Sequence, residues 1–153
     1  MFERILVPVD GSATSRKGLR EAIAIAKLTG ARIKLLHAWA PPFLAMGSEA
    51  ALMRGEDIYD VSHDAGQRVL SDAAASVKAA GIELDEQLEE LGGRRLCDLV
   101  AATANEWRAS LIVLGSHGRR GFSRMLLGSD AEQILRTAPT PVLLVRSDGE
   151  SAA

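Results

Sequence analysis

The chain has 153 residues, of which 47% are hydrophobic and 25% charged, and its formal net charge is -2. This length predicts one domain over residues 1–147 and a flexible C-terminal tail over residues 148–153. The small net charge excludes a global attraction to nucleic acid or to membrane surfaces. The sequence predicts neither a signal peptide nor a membrane helix, and its one cysteine, Cys97, excludes an internal disulfide, so we expect a cytoplasmic protein.

The first third of the chain predicts two buried strands around one amphipathic helix. Ile5–Val9 is apolar at successive positions, which is typical of a strand buried on both faces. A helix is predicted from Ser12 to its stop at Gly30, and Ile33–Ala38 is the second strand. Residues 39–56 contain prolines and no clean period, so we expect a long loop there.

The remainder continues the alternation of helices with strands. The strand after the long helix alternates apolar and charged residues, which is typical of a half-exposed edge. In chain order, the predicted elements are a helix over Asp57–Ala80, a strand over Ile82–Leu88, a helix over Leu96–Trp107, a strand over Leu111–Leu114, a helix over Ser129–Ala138 and a strand over Thr140–Val145.

Five strands that alternate with helices predict an α/β fold with a parallel sheet, right-handed crossovers and helices on both faces. The favoured strand order is 3-2-1-4-5, which reverses direction between the first and fourth strands. Ligands of open parallel sheets bind at the carboxyl ends of the strands beside such a reversal. The stretches "PVDGS" and "GSHG" would meet there.

Glycines are concentrated between the fourth strand and the last helix. Gly115, Gly118 and Gly128 leave the backbone free to approach a ligand, and Gly128–Ser129 opens a helix whose first amides lack intrahelical partners. The helix dipole adds partial positive charge at that end, so a phosphate is a natural ligand. The intervening segment adds three arginines, Arg119, Arg120 and Arg124.

A purely structural interpretation is also open at this helix start. Ser129 and Glu132 fit a capping box, which needs no ligand. Asp130 complements the helix dipole but repels a phosphate, unless a metal ion or an arginine offsets its charge. Neither a P-loop nor a G-x-G-x-x-G motif is present, and without a nucleophile elbow at Ser129 no catalytic residue is predicted.

For several other residues, a structural role is open beside a ligand-binding role. Asp10 suits either an Asx turn after the first strand or a ligand contact in the crevice. His37 and Cys97 are expected in the core, and the three histidines lack the spacing of a zinc site, so no metal ligand is assigned. The aromatic residues around Trp39 either close over a bound base or anchor the loop.

The glycine segment reads G-x2-G-x9-G-S and resembles the nucleotide-binding signature of the universal stress protein family. "ILVPVDGS", "LLHAW" and "APTPVLLVR" are also similar to that family, and the resemblance covers the chain from Arg4 to Arg146. It implies a five-stranded parallel α/β fold and binding of ATP with Mg²⁺, or of AMP or ADP.

The resemblance also implies roles for single residues. Asp130 replaces the small or β-branched residue that often follows the Gly-Ser pair, which bears on triphosphate binding. The residues implied for the pocket wall, base, ribose and metal are Pro8, Val9, Asp10, Ala38, Leu114 and Gly115. Those implied for the phosphates are Gly118, Arg119, Gly128, Ser129, Asp130 and Ala131.

The resemblance implies a homodimer joined through the last strand, Pro141–Val145, whose apolar edge is a pairing template. The primary hypothesis is therefore an ATP-binding, homodimeric stress-response module. The alternatives are a slow ATPase or phosphotransferase, and a nucleotide-free protein that acts through its dimer surface.

Overall fold

The structure is a computed structural model that describes residues 1–41, 55–116 and 127–146, with only the backbone described at 55 and 56. Most of the predicted loop and the predicted tail lie outside these residues. The elements are β1 (Arg4–Pro8), α1 (Ala13–Thr29), β2 (Arg32–Trp39), α2 (Gly55–Ala79), β3 (Leu84–Glu90), α3 (Leu96–Trp107), β4 (Leu111–Gly115), α4 (Ser129–Thr137) and β5 (Val142–Val145).

The five strands form one parallel sheet in the order β3-β2-β1-β4-β5, which confirms the predicted fold class and strand order. The predicted bounds of β3 were shifted by two residues at each end. Side-chain alternation stops at Leu88, but pairing with β2 continues until Trp39 lies opposite Glu90. Alternation of apolar and charged residues indicates which face of the sheet a side chain occupies, whereas backbone hydrogen bonding defines where the strand begins and ends.

Helix α1 begins and ends where its sequence predicts. Ser12 is the N-cap, and its hydroxyl accepts a hydrogen bond from the Ser15 amide at 3.1 Å. Gly30 ends the helix in the left-handed conformation, with φ of 72°. Leu19, Ala22 and Ala26 form its buried stripe.

Helices cover both faces of the sheet, as predicted. On β1, Ile5 and Val7 point into the core beneath α1 and α2, whereas Leu6 points into the core beneath α3 and α4. On β4, Val113 points into the core beneath α1 and α2, and Ile112 points into the core beneath α3 and α4. Because successive side chains of a strand point to opposite faces, strands buried on both sides carry unbroken apolar runs.

β1 and β4 separate before either strand ends. Their paired positions are Ile5 with Leu111 and Leu6 with Ile112. Beyond them, β1 stays with β2, since the Val9 amide donates to the Leu36 carbonyl at 2.9 Å. β4 stays with β5, since the Ser116 amide donates to the Val145 carbonyl at 2.8 Å. The sheet therefore opens at the carboxyl edge where the winding reverses.

The start of α1 packs directly on the end of β4. A Cβ atom added to Gly115 would lie 2.8 Å from the carbonyl carbon and oxygen and the Cγ2 atom of Thr14. A Cβ atom at Gly18 would lie 3.3 Å from the Gly115 amide nitrogen. Glycine is thus required at position 115 for packing between helix and strand, a role that the sequence analysis did not predict.

Gly115→Ala is expected to lower the free energy of unfolding by about 3 kcal/mol, because the new methyl group meets backbone atoms that cannot turn aside. Urea denaturation followed by circular dichroism measures the change. Gly30→Ala is the control: no atom lies within 4 Å of its added Cβ, so only left-handed backbone strain of about 1 kcal/mol is expected. A loss at Gly115 no larger than that at Gly30 contradicts the packing argument.

Candidate functional site

A cleft lies at the carboxyl edge where β1 and β4 diverge. It is bounded by the turn after β1, by the ends of β2 and β4, and by the first turns of α3 and α4. The predicted ligand residues that line it are Pro8, Val9, Asp10, Ala38, Leu114, Gly115, Asp130 and Ala131.

The other predicted residues are placed differently. Gly128 and Ser129 are the N-cap and the first residue of α4, and they do not line the cleft. Gly118 and Arg119 lie outside the described residues, as do His117, Arg120 and Arg124.

Sequence reasoning missed four residues of the cleft. The sequence analysis placed Leu96 and Ile134 only within predicted helices, and Leu36 only within a buried strand. Two of these residues could have been predicted from their positions, because Leu36 lies near the carboxyl end of β2 and Leu96 begins α3, and the crevice lies at that edge of the sheet. The fourth residue, Ser15, is buried one turn into α1.

The turn after β1 is held by hydrogen bonds that involve Asp10. Its Oδ1 atom accepts from the Ser12 amide at 2.8 Å, which is the predicted Asx turn. The Asp10 amide donates to the Ser15 hydroxyl at 3.2 Å. Gly11 between them has φ of 79°, a conformation that favours glycine. The Asx turn and the crevice position are therefore not alternatives, since Asp10 has both.

The start of α4 is fixed by main-chain contacts. The Gly128 amide donates to the Ser116 carbonyl at 2.9 Å, which brings the N-cap of α4 to the end of β4. The capping box at Ser129 and Glu132 is not formed: Gly128 is the N-cap and has no side-chain capping bond. The Glu132 carboxylate instead accepts from Arg136 at 2.8 Å. The first amides of α4 are thus left without a side-chain cap from the residues described.

Two aspartates from different elements line the cleft. Asp10 follows β1, and Asp130 is the second residue of α4. Carboxylate oxygens suit Mg²⁺, which proteins often hold through one or two carboxylates together with substrate phosphates. No cluster of three or more acidic, histidine or cysteine side chains that could hold a metal occurs in residues 1–41, 55–116 and 127–146.

The first turn of α3 closes the side of the cleft at Leu96. Arg95 precedes this turn and donates two hydrogen bonds of 2.9 Å to the Asp98 carboxylate. These bonds stabilise the charged form and lower the pKa of Asp98. Between them in sequence, Cys97 is buried at 2% exposure, as expected for a core residue.

His37 is a buried, hydrogen-bonded core residue, as predicted. Its Nδ1 atom donates to the Val9 carbonyl at 2.7 Å and so supports the backbone of the cleft wall. Trp39, two residues on, packs edge to face on Tyr59 at 4.8 Å and on His63 at 5.4 Å. These contacts join the end of β2 to α2.

The fold and the cleft define an open parallel α/β protein with a ligand crevice at its topological switch point. A family model described as the universal stress protein family matches residues 1–146. A universal stress protein of Methanocaldococcus jannaschii is 30% identical over 148 residues, covering 95% of this chain and 83% of that protein. The chain belongs to the universal stress protein family.

Two similar solved structures were determined with nucleotides. One is a universal stress protein in complex with cAMP, 26% identical, with a TM-score of 0.67 over 94% of this chain and 97% of that chain. The other is the universal stress protein of Archaeoglobus fulgidus in complex with dAMP, 25% identical, with a TM-score of 0.64 over 95% and 98%. Among the described helices of this chain, none is long and apolar enough to cross a membrane.

Asp10→Ala is expected to lower the free energy of unfolding by about 1 kcal/mol, because the Ser12 amide loses its acceptor. Asp10→Asn keeps an acceptor oxygen and is expected to stay within about 0.5 kcal/mol of the wild type. Urea denaturation of both variants measures the difference. Equal losses in the two variants would show that charge, and not the Asx turn, stabilises this region.

Proposed function

We propose that the chain is a cytoplasmic, homodimeric stress-response module that binds ATP with Mg²⁺ in the cleft between β1 and β4. The observation that carries the proposal is the opening of the sheet at its switch point, directly beside the uncapped start of α4. Backbone amides in that position suit a phosphate group.

The chemistry of the cleft wall supports an adenine nucleotide. Leu36, Ala38 and Leu114 supply apolar surface for a base and sugar. Asp10, with its carboxylate at the end of β1, is the residue proposed to contact the ribose and the metal. Relatives solved with cAMP and with dAMP, at 26% and 25% identity, favour an adenine nucleotide over other phosphorylated ligands.

The homodimer is proposed to form through β5. This strand is one edge of the sheet, and on it Leu143 is 37% exposed. Unpaired strand edges with apolar side chains promote pairing with another chain, and pairing across a two-fold axis satisfies both edges. In the proposed function, a bound nucleotide changes the surface at the carboxyl edge of each protomer, and partner proteins recognise the changed surface.

Ala38→Phe is expected to weaken Mg-ATP binding more than tenfold, because the ring fills space intended for the base. Isothermal titration calorimetry with adenosine, AMP, ADP and Mg-ATP measures the affinities. The control is Ala24→Phe, the same change on the exposed surface of α1, which is expected to leave affinity unchanged.

Gly118→Val should weaken phosphate binding alone, so that adenosine still binds.

No heat with any of these ligands in the wild type would contradict nucleotide binding and favour the nucleotide-free alternative. Equal affinities for Ala38→Phe and Ala24→Phe would contradict the location of the site. Urea midpoints of both variants verify that each still folds.

Leu143→Lys is expected to convert the dimer to a monomer, since it places a charge on the proposed apolar edge. Sedimentation velocity over a range of protein concentrations measures the change. Val61→Lys makes the same kind of substitution at a site that is 60% exposed on α2, which packs at the other end of the sheet. A wild-type monomer at every concentration, or a dimer that persists in Leu143→Lys, contradicts this interface.

A further inference from the structure

We propose that Asp130 sets the charge selectivity of the cleft: it disfavours free polyphosphates and makes tight binding of ATP depend on a divalent cation. This inference rests on the proposed nucleotide site and names the residue that selects among its ligands. It requires that Asp130 lie where the phosphates bind and that its charge be uncompensated.

The position of Asp130 meets the first requirement. It lines the cleft together with its neighbour Ala131, in the first turn of the helix whose first amides are proposed to bind a phosphate. A helix N-terminus offers about half a unit of positive charge, whereas an ionised aspartate brings a full negative charge to the same turn. The carboxylate therefore opposes the field that would otherwise attract an anion.

The described residues around Asp130 meet the second requirement. Within residues 1–41, 55–116 and 127–146, no lysine, arginine or histidine lies within ion-pair distance of the Asp130 carboxylate. Glu132, two residues on, pairs with Arg136 at 2.8 Å. The two acidic residues at this helix start therefore differ. Glu132 is paired with Arg136 and does not line the cleft, whereas Asp130 lines the cleft and has no ion-pair partner among the described residues.

A second carboxylate strengthens the effect. Asp10 lines the same cleft after the end of β1, so a phosphate chain bound there is close to a second negative charge. The unfavourable energy grows with the number of phosphates, because each adds negative charge close to the two carboxylates. A Mg²⁺ ion held by the phosphates cancels part of that charge and gives the carboxylates a ligand that suits them.

By contrast, α1 has no acidic residue in its first turn. The first turn of α3 also carries an acidic residue, Asp98, but that carboxylate is paired with Arg95 at 2.9 Å. The predicted consequence is an order of affinity without metal in which adenosine and AMP bind better than ADP, and ADP better than ATP. With Mg²⁺ that order is expected to flatten or reverse.

The experiment compares three proteins, the wild type, Asp130→Asn and Glu132→Gln, by isothermal titration calorimetry. Adenosine, AMP, ADP and ATP are titrated first in EDTA and then in excess Mg²⁺. Asp130→Asn is expected to bind free ATP about fivefold more tightly than the wild type, as expected from one charge at an exposed helix start. Its affinity for adenosine should not change.

Two further signatures distinguish a charge effect from a change of shape. The gain in Asp130→Asn should shrink as salt rises, because exposed charges are screened. The ratio of ATP affinities with and without Mg²⁺ should fall in Asp130→Asn relative to the wild type. Glu132→Gln removes the same charge from the same helix start and is expected to retain the wild-type ratio.

Several results would overturn the inference. Free ATP that binds Asp130→Asn no more tightly than the wild type means that other groups, such as Arg119, already neutralise Asp130. An equal gain in Glu132→Gln means that net charge and not position sets the effect. Failure of adenosine and AMP to bind any of the three proteins is a different result, since it removes the nucleotide site itself.

Discussion

The divergence of β1 from β4 is the constraint on which the site depends. Hydrogen bonds join these strands at Ile5–Leu111 and Leu6–Ile112, after which each strand follows its other neighbour. Two halves of one sheet, β3-β2-β1 and β4-β5, therefore part at the carboxyl edge while their amino-terminal halves stay joined. Because the joined part is buried beneath helices on both faces, the opening is built on rigid structure and needs no movement of the core.

Close packing between α1 and β4 places one wall of the opening, and polar contacts place the other. Gly115 and Gly18 allow the helix to approach the strand until backbone meets backbone. The Asx turn at Asp10 directs the chain from β1 into that helix. Main-chain bonds of Ser116 then bring the start of α4 to the same edge. The residues that line the cleft come from different elements, and main-chain contacts and one short side chain hold those elements in place.

The sequence predicted the fold well because its signals are local. The apolar runs of β1 and β4, the N-cap at Ser12 and the stop at Gly30 act within a few residues of the elements they define. The topology rules then left one favoured order, and the structure confirms it. The edge strand β3 was misplaced because Glu89 and Glu90 pair through backbone atoms that their charged side chains do not report.

The site was predicted less completely, because several of its features depend on contacts distant in sequence. The need for glycine at Gly115 comes from Thr14, a hundred residues earlier in the chain. The capping pattern at Ser129 looked sufficient by itself, yet the bond from Gly128 to Ser116 places the N-cap one residue earlier. That same bond joins the two ends of the segment over residues 117–126. Since it uses only main-chain atoms, the distance between Ser116 and Gly128 is set by the backbone and not by the side chains of either residue. The fixed spacing of the glycine signature therefore has a geometric counterpart, because the chain must leave β4 and return to the start of α4 at one point of the sheet edge.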